Sequence, residues 1–177
     1  MSRGGLRSAR QGLPFVVFCD GKTQQEIVRR ARKLLARHRH LLVPRVSPEV
    51  ARALLPLDRR AAYHELARAV TAHDPKRRLK GDVLIVTAGT ADISVAEEAR
   101  VIAEVLGDRA EAVYDVGVTG LHRVLTHHSR LLQARVVVVV AGMDEVLPSV
   151  VGGFVDCPVI AVPTSIGYSP TLAAWGW

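Results

Sequence analysis

The chain has 177 residues, of which 49% are hydrophobic, and this is enough for one well-buried core with a small additional lobe. The valine run at 136–140 is too short to cross a bilayer, and the arginine-containing N-terminal residues do not form a secretory signal. We therefore expect a soluble cytoplasmic protein without a membrane partner. Cys19 and Cys157 are far apart and lack metal-ligand spacing, so neither a disulfide framework nor a zinc site is indicated.

The charge is divided unevenly along the chain. Residues 1–80 contain 19 Lys or Arg against 6 Asp or Glu, whereas residues 81–177 contain 5 against 11. This predicts a basic N-terminal α/β lobe with a linker over 1–80 and a second domain over 81–177. The basic residues at 29–39 leave nucleic-acid binding open as an alternative. Aromatic residues are sparse here, and no known nucleic-acid-recognition domain is apparent. The basic residues therefore favour a solvated face, or one that docks on an acidic surface.

The N-terminal half predicts short alternating elements. After an arm at 1–13, a strand is expected at 15–19, followed by a helix that Thr23 caps and that runs to about residue 38. A strand at 41–43 and a helix opened by Ser47 follow. The stretch at 63–70 is compatible with a strand or a helix, and 74–80 has the composition of an exposed linker.

The second half predicts a regular α/β domain. Four short β-rich segments, at 83–87, 112–116, 136–141 and 159–163, alternate with helical segments. Right-handed crossovers then give an α/β fold with a three-layer, doubly wound parallel sheet. Ser94 and Glu97 have the spacing of a capping box, and Gly107 is expected just after that helix. Leu121, Leu125, His128 and Leu132 are expected to form the buried face of the next helix.

Each of these strands is followed by a loop that combines glycine with polar side chains. Because the carboxyl ends of parallel strands lie at one edge, the four loops predict a pocket for a phosphorylated small molecule. Gly89 and Thr90 are suited to bind an anion with backbone N–H groups. His122 and Arg123 could also be solvated side chains in an ordinary first turn of a helix. The acids at 144–145 are better explained as favourable charges near a helix start than as metal ligands. The metal ligands therefore remain unknown.

Several ordered motifs resemble one enzyme family. They are 89–92, 117–123, 141–143, 147–153 and 158–165, together with the N-terminal segments 21–23 and 45–49. This combination resembles the aminoimidazole-ribonucleotide carboxylase (PurE) superfamily, most closely its LarB branch, the pyridinium-3,5-biscarboxylic acid mononucleotide synthases of nickel-pincer cofactor biosynthesis. The resemblance extends to Tyr168 and implies a PurE-like, flavodoxin-like topology. Enzymes of the purine pathway usually lack the N-terminal lobe.

The resemblance implies a carboxylase and hydrolase. Its substrate would be nicotinic acid adenine dinucleotide, whose pyridinium ring is carboxylated with CO2 or bicarbonate and whose phosphoanhydride is cleaved to release AMP, with Mg2+ as the expected metal. Because the ring is electron-poor, a thiolate must first add to it. The implied catalytic residues are Asp92 and His122. The implied substrate-binding residues are Gly89, Thr90, Arg123, Gly142, Met143 and Ser149.

The chain departs from the family pattern near its end. The family's catalytic cysteine lies beyond the segment PTSIGY at 163–168, whereas this chain continues with residues 169–177 and stops. We therefore expect a truncated domain that binds substrate with little or no turnover. We also expect a homo-oligomer, because the two halves have opposite charge. A purine-pathway aminoimidazole ribonucleotide carboxylase or mutase, and a basic nucleic-acid-binding protein, remain the alternatives.

Overall fold

The chain forms two compact units in the computed structural model, which describes residues 15–38, 40–73, 79–142 and 146–164. One unit contains the described residues up to Leu79 together with Val101–Gly107. The other contains Lys80–Arg100 and the described residues from Asp108 onward. The predicted arm at 1–13 and most of the predicted linker, 74–78, lie outside the described residues.

The first unit contains a four-stranded mixed sheet in the order β1-β2-β4-β3, in which only the β1–β2 pair is parallel. Thr23 and Ser47 cap its two helices, as predicted. The stretch 63–70 is not a single element, because it spans the turn of a β-hairpin in which Arg68 has a φ of 48°. The elements are β1 (Phe15–Val16), α1 (Gln24–Leu35), β2 (Leu41–Val43), α2 (Pro48–Leu54), β3 (Ala61–His64) and β4 (Ala69–Ala72).

The second unit contains a four-stranded parallel sheet in the order β6-β5-β7-β8. Its elements are β5 (Lys80–Thr87), the first part of α3 (Ile93–Leu106), β6 (Asp108–Val113), α4 (Leu121–Thr126), α5 (His128–Gln133), β7 (Val136–Ala141), α6 (Leu147–Gly152) and β8 (Val159–Pro163). The end of α3, from Val101 onward, belongs to the first unit. Two of the predicted strands, 136–141 and 159–163, have the bounds expected from the sequence.

Helices cover both faces of this parallel sheet. On one face Leu84 and Val137 pack with residues of α4, α5 and α6, including Val124 and Leu131. On the other face Ile85 and Val140 pack with residues of α3, including Ala96. Successive residues of β5 thus face opposite helix layers, as they do in a strand that is buried on both sides. This confirms the predicted three-layer, doubly wound fold with flavodoxin-like topology.

Two local predictions around α3 and β6 were wrong. Ser94 is the second residue of α3 and is not its cap, because a 3₁₀ turn at Thr90–Asp92 enters the helix directly and Gly89 precedes that turn. β6 ends at Val113, before the predicted end at 116, because Asp115 takes a left-handed conformation with a φ of 58°. Gly107, by contrast, follows α3 with a φ of 105°, as expected for the residue after a helix.

The predicted leucine face at 121–132 was also wrong. The segment forms two short helices that break at His127, and the residues buried in the core are Val124 and Leu131. Leu121, Leu125 and Leu132 are 42%, 47% and 56% exposed. No helix among the described residues is long and apolar enough to span a membrane.

Candidate active site

The strand order of the second unit reverses between β5 and β7. The chain passes from β5 to β6 on one side and then crosses to β7 on the other side. In open parallel sheets a ligand binds at the carboxyl edge beside such a reversal, because the two connections diverge there and leave a crevice. Gly89 follows β5 and Gly142 follows β7, so two predicted binding residues flank this point.

Asp92 and Thr164 form a buried pair at this carboxyl edge. The Thr164 hydroxyl donates to Asp92 Oδ1 at 2.6 Å, and the two residues are only 5% and 4% exposed. The Thr164 N–H donates to the carbonyl of Ala141 at 3.3 Å, and this contact places Thr164 at the end of β7. Asp92 Oδ2 makes no hydrogen bond with the described residues and faces Gly89. One oxygen of the carboxylate is thus fixed, and the other is available to a ligand.

A second set of contacts joins the ends of β5 and β6. Thr87 accepts the Asp115 N–H on its hydroxyl at 3.1 Å and the Val116 N–H on its carbonyl at 3.0 Å. Arg123 Nη1 then donates to Asp115 Oδ2 at 2.6 Å. The side chains of Arg123 and Asp115 are 42% and 51% exposed, so we expect their ion pair to contribute no more than about 1 kcal/mol. An incoming phosphate could therefore take the place of Asp115.

The other predicted site residues lie at separate places in the second unit. Thr90 is exposed in the 3₁₀ turn, Gly142 is buried, and Ser149 is exposed as the third residue of α6. His122 is exposed as the second residue of α4, and Met143 lies outside the described residues. Hydrogen bonds in the described part of the chain do not connect Asp92, His122 and Arg123 to one another. They connect Asp92 to Thr164 and Arg123 to Asp115.

Sequence reasoning missed a polar cluster that ties α3 to the end of β6. Glu97, which is buried, accepts hydrogen bonds from Arg100 Nε at 2.8 Å and Arg100 Nη2 at 2.9 Å, and from the Tyr114 hydroxyl. Burial, with the Glu97 hydrogen bond, raises the pKa of Tyr114 to about 12. The sequence pattern did not indicate this cluster, because the spacing of Glu97 from Ser94 predicts a capping box and Tyr114 lies within the strand predicted at 112–116. The cluster supports the loop that carries Asp115.

Neither thiol belongs to the loops of the carboxyl edge. Cys157 precedes β8 and is therefore at the amino end of that strand, while Cys19 belongs to the first unit. Burial, and next the nearby charge of Asp20, raises the pKa of the Cys19 thiol. A thiol with a raised pKa is a poorer source of thiolate near neutral pH. The described residues also contain no cluster of three or more His, Cys, Asp or Glu side chains that could hold a metal.

A cavity of about 380 Å³ opens at the opposite, amino-terminal edge of the same sheet. It is lined by acids and bases together, among them Arg109, Glu111 and Arg130, and Arg109 forms an ion pair with Asp82 at 3.1 Å. Because positive and negative side chains alternate there, this cavity has no clear preference for an anion. We therefore place the candidate site at the carboxyl edge, where the strand order reverses.

Comparison with known proteins identifies the family of the chain. The AIR carboxylase family matches residues 82–174, which is more than half of the chain, and a LarB/PurE-like N-terminal domain matches residues 5–75. An uncharacterized protein of Methanocaldococcus jannaschii is 37% identical over 92% of this chain and 67% of its own length. The chain therefore belongs to the AIR carboxylase family, as a LarB/PurE superfamily member with a carboxylase-type enzyme domain.

Proposed function

We propose that the chain is a LarB-type enzyme of nickel-pincer cofactor biosynthesis. It binds nicotinic acid adenine dinucleotide, carboxylates its pyridinium ring with CO2 or bicarbonate, and hydrolyses its phosphoanhydride with release of AMP. The observation that carries this proposal is the union, in one chain, of a LarB/PurE-like N-terminal domain with an AIR carboxylase domain. The purine-pathway alternative does not explain the presence of the first domain.

The carboxyl edge offers groups that suit this substrate. Asp92 Oδ2 would accept a ribose hydroxyl or move a proton, since Thr164 already fixes the other oxygen. The backbone N–H groups of Thr90 and Ala91, which begin the turn that enters α3, would bind a phosphate, while the Asp92 N–H already donates to the Gly89 carbonyl at 3.3 Å. Arg123 would exchange its exposed carboxylate partner for a second phosphate.

Mg2+ is the metal that we propose for the hydrolytic step. Proteins commonly hold this ion through one or two carboxylates, water and the phosphates of the substrate, so a large cluster of side chains is not required. We propose Asp92 as the carboxylate that would contribute. The ion would neutralise the negative charge of the phosphoanhydride.

Ligand binding tests the proposal directly. The purified chain would be titrated at near-physiological salt with nicotinic acid adenine dinucleotide and, separately, with aminoimidazole ribonucleotide, and thermal stability would be followed because a ligand stabilises the state that binds it. We expect stabilisation by the dinucleotide alone. Mass spectrometry with bicarbonate and Mg2+ would then show whether a carboxylated mononucleotide and AMP are formed. Stabilisation by the ribonucleotide alone would support the purine-pathway alternative, and no response to either ligand would reject the assignment.

A further inference from the structure

The first unit contains an open groove of about 740 Å³ between one face of α1 and the segment that begins with β1. We call it the basic groove. It lies wholly within this unit and includes none of the residues of the carboxyl-edge site. The lining residues that bear on its chemistry include Phe18, Lys22, Arg29, Arg30, Lys33 and Arg37.

Five cationic side chains line the basic groove, and no Asp or Glu is among its described lining residues. Arg29, Lys33 and Arg37 are spaced four residues apart, so they form a row along one face of the helix and its end. In the part of the chain that the structure describes, none of the five forms a salt bridge. Glu26 of the same helix accepts a hydrogen bond from the Thr23 N–H at 2.9 Å, and its charge interacts with Arg29 and Arg30 without forming a salt bridge. One acidic charge thus lies near five basic ones. The positive charge is thus available to an anion.

The basic groove also presents aromatic surface. The rings of Phe15 and His38 are stacked, with centroids 3.4 Å apart and planes 18° apart. Phe18 is 62% exposed although it is a large apolar side chain. A planar base can stack on an exposed ring of this kind, while arginine and lysine bind the attached phosphates.

We propose that the basic groove binds a nucleotide. The phosphates lie against the row of Arg29, Lys33 and Arg37, and the base stacks on Phe18. The volume falls within the range of roughly 300–1,000 Å³ that small-molecule sites occupy. The row from residue 29 to residue 37 extends about 12 Å at a rise of 1.5 Å per residue, which suits the phosphates of one nucleotide better than a long polynucleotide backbone. The site does not depend on the proposed carboxylase function.

Competition binding on the full chain tests this assignment. A fluorescent ADP analogue would be displaced by ADP, adenosine, pyrophosphate or a short oligothymidylate, and anisotropy would be read at near-physiological salt. We expect ADP to bind about tenfold or more tightly than either adenosine or pyrophosphate, because each of these lacks half of the recognised chemistry. Equal binding of pyrophosphate, or tighter binding of oligothymidylate per nucleotide, would overturn the nucleotide assignment, as would a lack of saturable ADP binding.

Matched variants locate the site. The double variant Arg29→Glu, Lys33→Glu should lose about tenfold or more of the affinity for ADP, because it reverses two charges of the row. Arg32→Glu is the control, since Arg32 is an exposed cation of the same helix that does not line the groove. An equal loss in this control would show a non-specific charge effect and reject the site. Phe18→Ala should weaken the binding of ADP and leave the binding of pyrophosphate unchanged.

Discussion

The Thr164 hydroxyl donates to Asp92 Oδ1 at 2.6 Å although the two residues are 72 positions apart in the sequence. The bond joins the loop after β5 to the residue after β8. It leaves the second Asp92 oxygen beside Gly89, where a ligand in the crevice could reach it. The orientation of the proposed catalytic carboxylate therefore depends on the last strand of the sheet.

Replacing Thr164 by Val should lower the free energy of unfolding by about 1–3 kcal/mol, because Asp92 Oδ1 would stay buried without a donor. Urea denaturation of the chain would measure this change. Thr164→Ser retains the hydroxyl and is the matched control, for which we expect a smaller loss. Unchanged stability in the Val variant would mean that water or another group replaces the hydroxyl.

Asp92→Asn and Arg123→Ala should each weaken the binding of nicotinic acid adenine dinucleotide by about 1.5–3 kcal/mol, because each removes a charge-assisted contact. Calorimetry would measure the affinities, in the Arg29→Glu, Lys33→Glu background so that the basic groove does not contribute. Arg109→Ala, at the amino-terminal edge of the sheet, is the control. If both site variants bind as tightly as their parent, the substrate does not bind at the carboxyl edge.

Part of the fold could be predicted because its signals are local. The strands at 41–43, 136–141 and 159–163 are short β-rich runs, and their bounds agree with the structure. The prediction of a buried leucine face for α4 and α5 was wrong because two sets of apolar residues have helical spacing. Leu121, Leu125 and Leu132 form the exposed set, while Val124 and Leu131 belong to the buried one. The break at His127 occurs without Gly or Pro, so the sequence contained no signal for it.

The sequence predicted which loops form the candidate site, but it did not predict the hydrogen bonds between their residues. The position of Gly89 and Asp92 follows from the strand that precedes them. The partner of Asp92 could not be inferred, because a contact across 72 residues leaves no local pattern. Asp115 was overlooked because the predicted strand extended over it, whereas its left-handed backbone ends the strand and directs its carboxylate to Arg123.

Asp58 should make the stability of the first unit depend on acid pH. It accepts hydrogen bonds from Arg60 Nε at 2.9 Å and Nη2 at 2.6 Å, and these side-chain bonds, with a smaller contribution from the Arg60 N–H at 2.8 Å, lower its pKa from 3.8 to about 2. The folded pKa is lower than the unfolded pKa, so the stabilisation is present above about pH 4 and is lost as the pH falls through about 2.

Asp58→Asn tests this effect. The variant should be less stable than the parent by about 1 kcal/mol near neutral pH, and the difference should shrink as the pH falls toward 2. Urea denaturation at a series of pH values measures the difference between the two proteins, so that the other carboxylates cancel. A difference that stays constant with pH would contradict the assigned linkage.

Cys157→Ser should leave both dinucleotide binding and any turnover unchanged. Cys157 lies before β8, whose five residues place it about 16 Å or more from the carboxyl edge at roughly 3.3 Å per residue. Binding would be measured by calorimetry and AMP release by chromatography, with Cys19→Ser as the parallel control. Turnover that disappears only in the Cys157 variant would identify that thiol as the nucleophile.

The exposed leucines of α4 and α5 should make the chain associate with itself. Leu121, Leu125 and Leu132 present apolar side chains to solvent, and a second copy would cover them. Sedimentation should show an oligomer at micromolar concentration, and Leu125→Glu with Leu132→Glu should shift it toward the monomer. The control is Leu66→Glu, because Leu66 is also an exposed leucine and lies in the first unit. A parent chain that is monomeric throughout would contradict this prediction.

Gly120 lies beneath the Arg123 guanidinium. A Cβ atom at position 120 would come within 2.5 Å of Arg123 Nε, and the atoms it would meet belong to the end of a flexible side chain. The arginine side chain could move away at small cost to folding, but it would then lose its alignment with Asp115 and with the phosphate that we propose for the crevice. A methyl group added at Gly120 should therefore leave the stability of the fold nearly unchanged and still weaken the phosphate binding that we propose for Arg123.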